Sequence, residues 1–176
     1  TRSTDELLYL DERAQIANRH SGDLFISIHC NSGVKSARGF ETYYFSLSED
    51  DENDRTVRML ENTMPEVYKT AKKKINAVDF ITADLAQINH INESRDLAET
   101  IQKKLFEFGT SRDRGVRKAR FYVLKDSFMP SALIELGFIT NESEEKMLIN
   151  ESYQLKLATG IAEAISEYKQ KTENSK

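Results

Sequence analysis

At 176 residues the chain fits one domain, long enough to bury about two-thirds of its unfolded surface in a single core. Charged residues make up 31% with both signs interspersed and a net charge of -4, so the basic footprint of a nucleic-acid-binding protein is missing. The single cysteine, Cys30, excludes an internal disulfide but leaves the compartment open, and no uninterrupted apolar run reaches the roughly 18 residues of a membrane span.

The chain opens on Thr1-Arg2-Ser3-Thr4-Asp5 rather than on methionine, which is compatible with a signal peptide or a longer segment ahead of it. From Asp5 to Asn18 the spacing of Leu7, Leu10, Ala14 and Ala17 predicts an amphipathic helix, with Ser3, Thr4 and Asp5 as cap candidates. Ser21-Gly22-Asp23 breaks that pattern. Leu24 to Ile28 then reads as a buried strand ending in His29-Cys30-Asn31, and Phe40 to Phe45, rich in aromatic residues, as a second strand.

An acidic run from Ser48 to Asp54 precedes Val57, Leu60, Met64, Val67, Ala71 and Ile75 at helical spacing, which Pro65 must kink or restart. Asp79 to Asn92 continues as weakly amphipathic helix. Ser94 is placed to cap a further helix bearing Leu97, Ile101, Leu105 and Phe108, and Gly109 to end it. The 47–93 stretch is therefore expected to be a helical insertion. Arg112 to Arg120 reads as a basic loop, Phe121 to Leu124 as a short strand, and Ser131 to Leu136, introduced by Pro130, as the next strand. The tail is expected to be helical, with Tyr153, Leu157, Ile161, Ala164, Ile165 and Tyr168 facing inward.

Helices alternating with short, non-alternating apolar strands predict an α/β layer structure whose strands are buried on both faces. In such sheets ligands bind beyond the carboxyl ends of the strands. His29 follows one strand directly and Glu135 lies at the end of another, so if those strands are parallel both side chains reach one crevice. An imidazole is a good zinc ligand, and a carboxylate beside the metal can take the proton of an attacking water. A lone glutamate inside Leu-Ile-Glu-Leu is the sharper signal, because burying an unpaired carboxylate is costly. Cys30 lacks a second cysteine or an orienting base and reads as a small buried residue.

Thr1-Arg2 with Asp5, Leu10 to Asn18 around Arg13, Leu24 to Asn31, Gly39-Phe40-Glu41-Thr42-Tyr43-Tyr44, Arg114-Gly115-Val116 and Pro130 to Asn141 form an ordered set of motifs. Together they resemble the zinc-dependent N-acetylmuramoyl-L-alanine amidases of bacterial cell-wall turnover (amidase type 3), from the first residue to about Leu148. The resemblance implies a three-layer α/β fold of the phosphorylase/hydrolase kind, with a mostly parallel mixed sheet flanked by helices. It also implies a zinc cofactor and hydrolysis of the amide between the lactyl group of N-acetylmuramic acid and L-alanine of the peptidoglycan stem. The corresponding location is periplasmic or secreted and cell-wall associated. Carried over position by position, His29 resembles the second zinc histidine and Glu135 the catalytic glutamate.

Family members begin with a strand carrying a first zinc histidine and a helix carrying a zinc glutamate, and the present residues match the family only after both. The expectation is thus a single catalytic domain over 1–176, incomplete at its N-terminus, which by itself binds zinc weakly or not at all. His20 and His90 match no ligand position. The 47–93 insertion resembles the regulatory segment of amidases that separate daughter cells, in which a glutamate followed by asparagine occupies the metal. Glu61 is the matching autoinhibitory candidate, with Glu52 and Glu66 as alternatives, and relief requires a protein activator that favours the open state. Arg114, next to Gly115, is the candidate for binding stem-peptide carboxylates. Two other readings are a non-catalytic peptidoglycan-binding or regulatory relative and a zinc peptidase cutting the stem itself.

Overall fold

The computed structural model describes residues 1–46, 58–59, 77–109 and 111–174, with the backbone helix alone for 77–89. Helix α1 spans Leu10–Arg19 and begins later than the spacing suggests. Its first turn is stabilised from inside, the Glu12 carboxylate accepting the Tyr9 N–H at 2.8 Å, so Ser3, Thr4 and Asp5 are not its cap. Strand β1 (Phe25–Asn31) runs three residues further than expected, and β2 (Phe40–Phe45) has the expected bounds.

Helix α2 runs unbroken from Ala77 to Glu107. Ser94 therefore caps nothing. Its hydroxyl donates to the His90 carbonyl one turn back and accepts the Ser131 N–H at 2.9 Å, tying the helix to the strand that begins at Ser131. Gly109, at φ +60°, ends the helix as expected.

The basic stretch forms strand β3 (Asp113–Ala119), not a loop. Its backbone pairs in parallel with β2 from Phe40↔Asp113 to Phe45↔Ala119, and its position at the edge of the sheet explains the charged sequence, since edges are kept from mispairing by lysine and arginine. Phe121 to Leu124, expected as a strand, instead leads into the short helix α3 (Tyr122–Lys125), which buries Val123 and Leu124. A four-residue apolar run carries no periodicity that separates the two. Strand β4 (Ser131–Phe138) is followed by α4 (Glu142–Leu148), capped by Asn141, and α5 (Glu151–Asn174).

Among the described residues four strands form one mixed sheet in the order β1-β4-β2-β3. The β1–β4 and β2–β3 pairs are parallel and β2–β4 is antiparallel. Central β4 is buried on both faces, which is why its sequence is almost continuously apolar. One face packs Phe40, Ala132 and Ile134 against Leu97, Ile101 and Leu105 of α2 and Leu157, Ile161 and Ala164 of α5. On the other, Phe25, Tyr43 and Leu133 pack with Phe121, Val123 and Leu124 around α3, with Leu10 and Ala17 of α1 against them. These are the three layers expected, and no helix of the described residues is long and apolar enough to cross a membrane.

Candidate active site

The β1–β4 ladder sets Ser27 beside Leu133, Ile28 beside Ile134 and His29 beside Glu135. On the other side of β4, Glu41 of β2 lies opposite Glu135 and Tyr43 opposite Leu133. Aligned residues of neighbouring strands point to the same face, so His29, Glu135 and Glu41 stand side by side on three adjacent strands, on the face that also carries Leu133 and Tyr43. Glu135 and Glu41 are fully buried, while His29 is half-buried. The His29 Nε2 lies 2.9 Å from the Ser27 hydroxyl two residues back on the same face. Directly after His29 the ladder slips, and register resumes with Asn31 opposite Phe138.

Glu41 is the functional neighbour that sequence reading passed over. Its Oε1 accepts the Asn31 side-chain N–H at 2.9 Å, a bond that links β2 to β1 across the intervening β4. Its Oε2 accepts the Arg114 Nε–H at 2.8 Å and lies 3.1 Å from Arg117 Nε. Asn31 in turn accepts the Ser32 N–H on its side-chain oxygen at 2.8 Å, and its carbonyl accepts the Ile139 N–H. The signal was available: a glutamate set among aromatic residues in Phe-Glu-Thr-Tyr-Tyr poses the same burial problem as Glu135. Arg114, the candidate for substrate carboxylates, has its Nε committed to Glu41 and its guanidinium 5.1 Å from the centre of the Phe138 ring.

A third buried carboxylate holds the turns around this end of the sheet. Glu144 accepts the Phe138 N–H at 2.8 Å, the Gly39 N–H at 2.9 Å and the Ser111 hydroxyl. It thereby fastens the end of β4 to the turns before β2 and β3. Gly39 is obligatory in this arrangement: its φ is +113° and a Cβ there would sit 2.3 Å from the Arg112 carbonyl oxygen.

Cys30 is exposed rather than buried. Desolvation and the nearby Glu135 carboxylate push its thiol pKa up, which disfavours the thiolate that nucleophilic chemistry requires. His20 caps the C-terminal end of α1, and His90 pairs with Glu93 at 3.0 Å on α2. Neither is among the residues brought together here. Glu61, Glu52 and Glu66 lie outside the described residues.

Among the described residues no group of three or more histidine, cysteine, aspartate or glutamate side chains is placed to hold a metal. His29 and Glu135 bring one imidazole and one carboxylate together, short of the three protein ligands of a catalytic zinc. The described residues thus do not make up a zinc site by themselves. What the arrangement can do is place a carboxylate, shielded from bulk water, beside a partly accessible imidazole at the carboxyl ends of two parallel strands.

The N-acetylmuramoyl-L-alanine amidase family matches residues 1–167 of the chain. The chain is 38% identical over 168 residues to the protein YqiI of Bacillus subtilis strain 168, covering 96% of the chain and 62% of that protein. It is 35% identical over 172 residues to the N-acetylmuramoyl-L-alanine amidase AmiA of Escherichia coli K12, covering 96% of the chain and 59% of AmiA. It superposes on the crystal structure of N-acetylmuramoyl-L-alanine amidase from Clostridium difficile 630 with a TM-score of 0.69 at 31% identity, covering 97% of the chain and 70% of that structure. The chain therefore spans about three-fifths of the length of these two curated relatives, 62% and 59%.

Proposed function

Because the chain belongs to the N-acetylmuramoyl-L-alanine amidase family, we propose that the protein hydrolyses the amide joining the lactyl group of N-acetylmuramic acid to L-alanine of the peptidoglycan stem. The observation that carries this reading from family to chemistry is the register of His29 with the fully buried Glu135. In the proposed reaction the Glu135 carboxylate takes a proton from the attacking water and then delivers it to the departing alanine nitrogen, so that one group serves as base and acid. Burial keeps the carboxylate from exchanging that proton with bulk water. The Ser27 hydroxyl holds the His29 ring in one orientation.

Zinc belongs to this proposal through the family resemblance, with His29 as one ligand and the remaining ligands outside the described residues; when bound, it lowers the pKa of a coordinated water to about 7. Regulation by the 47–93 segment, with Glu61 as the blocking group and a protein activator as its release, is part of the same reading. So is a working location outside the cytoplasm, where peptidoglycan is found.

The test is digestion of purified cell wall by the full-length protein and its Glu135→Ala variant, with products identified by mass. Release of stem peptides beginning at a free L-alanine amine, abolished by the substitution, is the expected result. Cuts within the stem peptide would make it a peptidase, and undiminished release by the variant would remove Glu135 from the chemistry.

A further inference from the structure

Resting on the proposed amidase reading, we infer that Arg114 is the anion-binding residue of the site and takes a free carboxylate of the stem peptide through its two terminal nitrogens. Three contacts hold its side chain. The Nε–H donates to Glu41 Oε2 at 2.8 Å. The guanidinium carbon stands over the Phe138 ring, 5.1 Å from its centre. The aliphatic stem runs so close over Gly39 that a Cβ there would sit 2.9 Å from Arg114 Cγ. These contacts use one edge and one face of the group. No described residue bonds its Nη1 or Nη2, and the side chain keeps 23% of its surface open to solvent. A guanidinium pinned by Nε and presenting both terminal nitrogens is a ready fork for a carboxylate, because folding has already ordered it.

The slip between β1 and β4 brings this fork to the reacting end of the sheet. The step from His29 to Asn31 on β1 is matched by three residues of β4, from Glu135 to Phe138, so the extra residue lies on β4. It turns Phe138 to the face shared by Asn31, His29 and Glu135, whereas a regular strand would point a residue three places past Glu135 the other way. Arg114 rests on that ring while bound to Glu41, the residue opposite Glu135. Fork and proposed base therefore stand over one face at one end of the sheet. A strand advances about 3.3 Å per residue, which places Phe138, and the guanidinium over it, on the order of 10 Å from Glu135. Extended peptide covers about 3.3–3.6 Å per residue, so a carboxylate two or three residues beyond a bond cut at Glu135 reaches Arg114. The peptidoglycan stem carries one there. Its second residue is a glutamate joined through the side chain, which leaves the α-carboxylate free, and a diaminopimelate in third position carries another.

Calorimetric titration of the full-length protein with synthetic stem tripeptides, which have no bond left to cut, tests this. Amidating the second-residue α-carboxylate, or the free carboxylate of a third-residue diaminopimelate, tells which one Arg114 reads; loss of that one should weaken binding by about tenfold to a hundredfold. Arg114→Lys can keep the ion pair with Glu41 but has no second edge to present, so it should bind weakly and respond to neither amidation. A wild-type protein that binds no tripeptide, or ignores both amidations, would overturn the inference, and so would an Arg114→Lys variant that discriminates as wild type does. The wild-type comparison depends on no variant folding. Release of stem peptides from cell wall separates the two claims. Carboxylate-dependent binding without release would sink the amidase reading and leave the anion site standing, while equal release from amidated and free stems would do the reverse.

Discussion

His29 of β1 and Glu135 of β4 are partners in a parallel ladder, the imidazole half-buried and the carboxylate with no exposed surface. A buried carboxylate is a cost to folding that its function must justify. Glu135→Gln keeps the shape and removes the charge, so catalysis should fall by about 10²- to 10⁴-fold in a protein that still folds. Parallel thermal unfolding and cell-wall digestion check both halves. A variant that loses stability and activity together would mark Glu135 as structural.

Metal binding should depend on His29 and on its serine. In the full-length protein, His29→Ala should abolish stoichiometric zinc after dialysis. Ser27→Ala, which removes the group 2.9 Å from His29 Nε2, should weaken zinc by about 10- to 100-fold, the usual effect of losing a ligand's outer partner. Zinc content by atomic absorption is the measurement, with His90→Ala expected to match wild type.

Glu144 joins the end of β4 to the turns before β2 and β3 through one carboxylate. Glu144→Gln replaces an acceptor oxygen by an N–H group facing other donors, and should cost about 1–3 kcal/mol for each group left unsatisfied. Gly39→Ala should cost more, because its φ of +113° and the 2.3 Å approach to Arg112 oppose any side chain. Urea unfolding midpoints at constant m-value rank the two.

Tyr168 provides an alkaline limb. Burial, helped by Glu93 and Asp96 and opposed by a hydrogen bond with Thr172, raises its pKa above the ordinary 10.0. The folded state therefore holds the phenolic proton longer than the unfolded state. Its contribution is fully present below pH 10, the ordinary tyrosine value, and is lost as pH rises towards the raised folded value. Tyr168→Phe should flatten that decline in unfolding measurements above pH 10.

Removing residues 48–76 leaves the whole of α2 in place and tests the regulatory proposal. Activity of the folded full-length deletion should rise without any activator. An unchanged rate on cell wall would count against autoinhibition by Glu61.

Periodicity and local chemistry made much of this protein legible in its amino-acid sequence. β2, the core stripe of α2, the end of that helix at Gly109 and the apolar face of α5 follow from residue spacing, because each is decided within a few residues. His29 and Glu135 stood out for a related reason: polar side chains at the end of or inside apolar runs break a pattern. The errors fall where the deciding partner is distant. Arg112 to Arg120 looks like a loop until β2 offers it an edge to pair with, and Ser94 looks like a cap until the Ser131 N–H claims its hydroxyl. Glu41 reads as one more residue of a strand until Asn31 arrives from β1 and Arg114 and Arg117 from β3. Only tertiary structure decided that Glu135 would have a histidine on one side and an arginine-bound glutamate on the other. Strand order is set by which faces bury each other, and no local spacing encodes it.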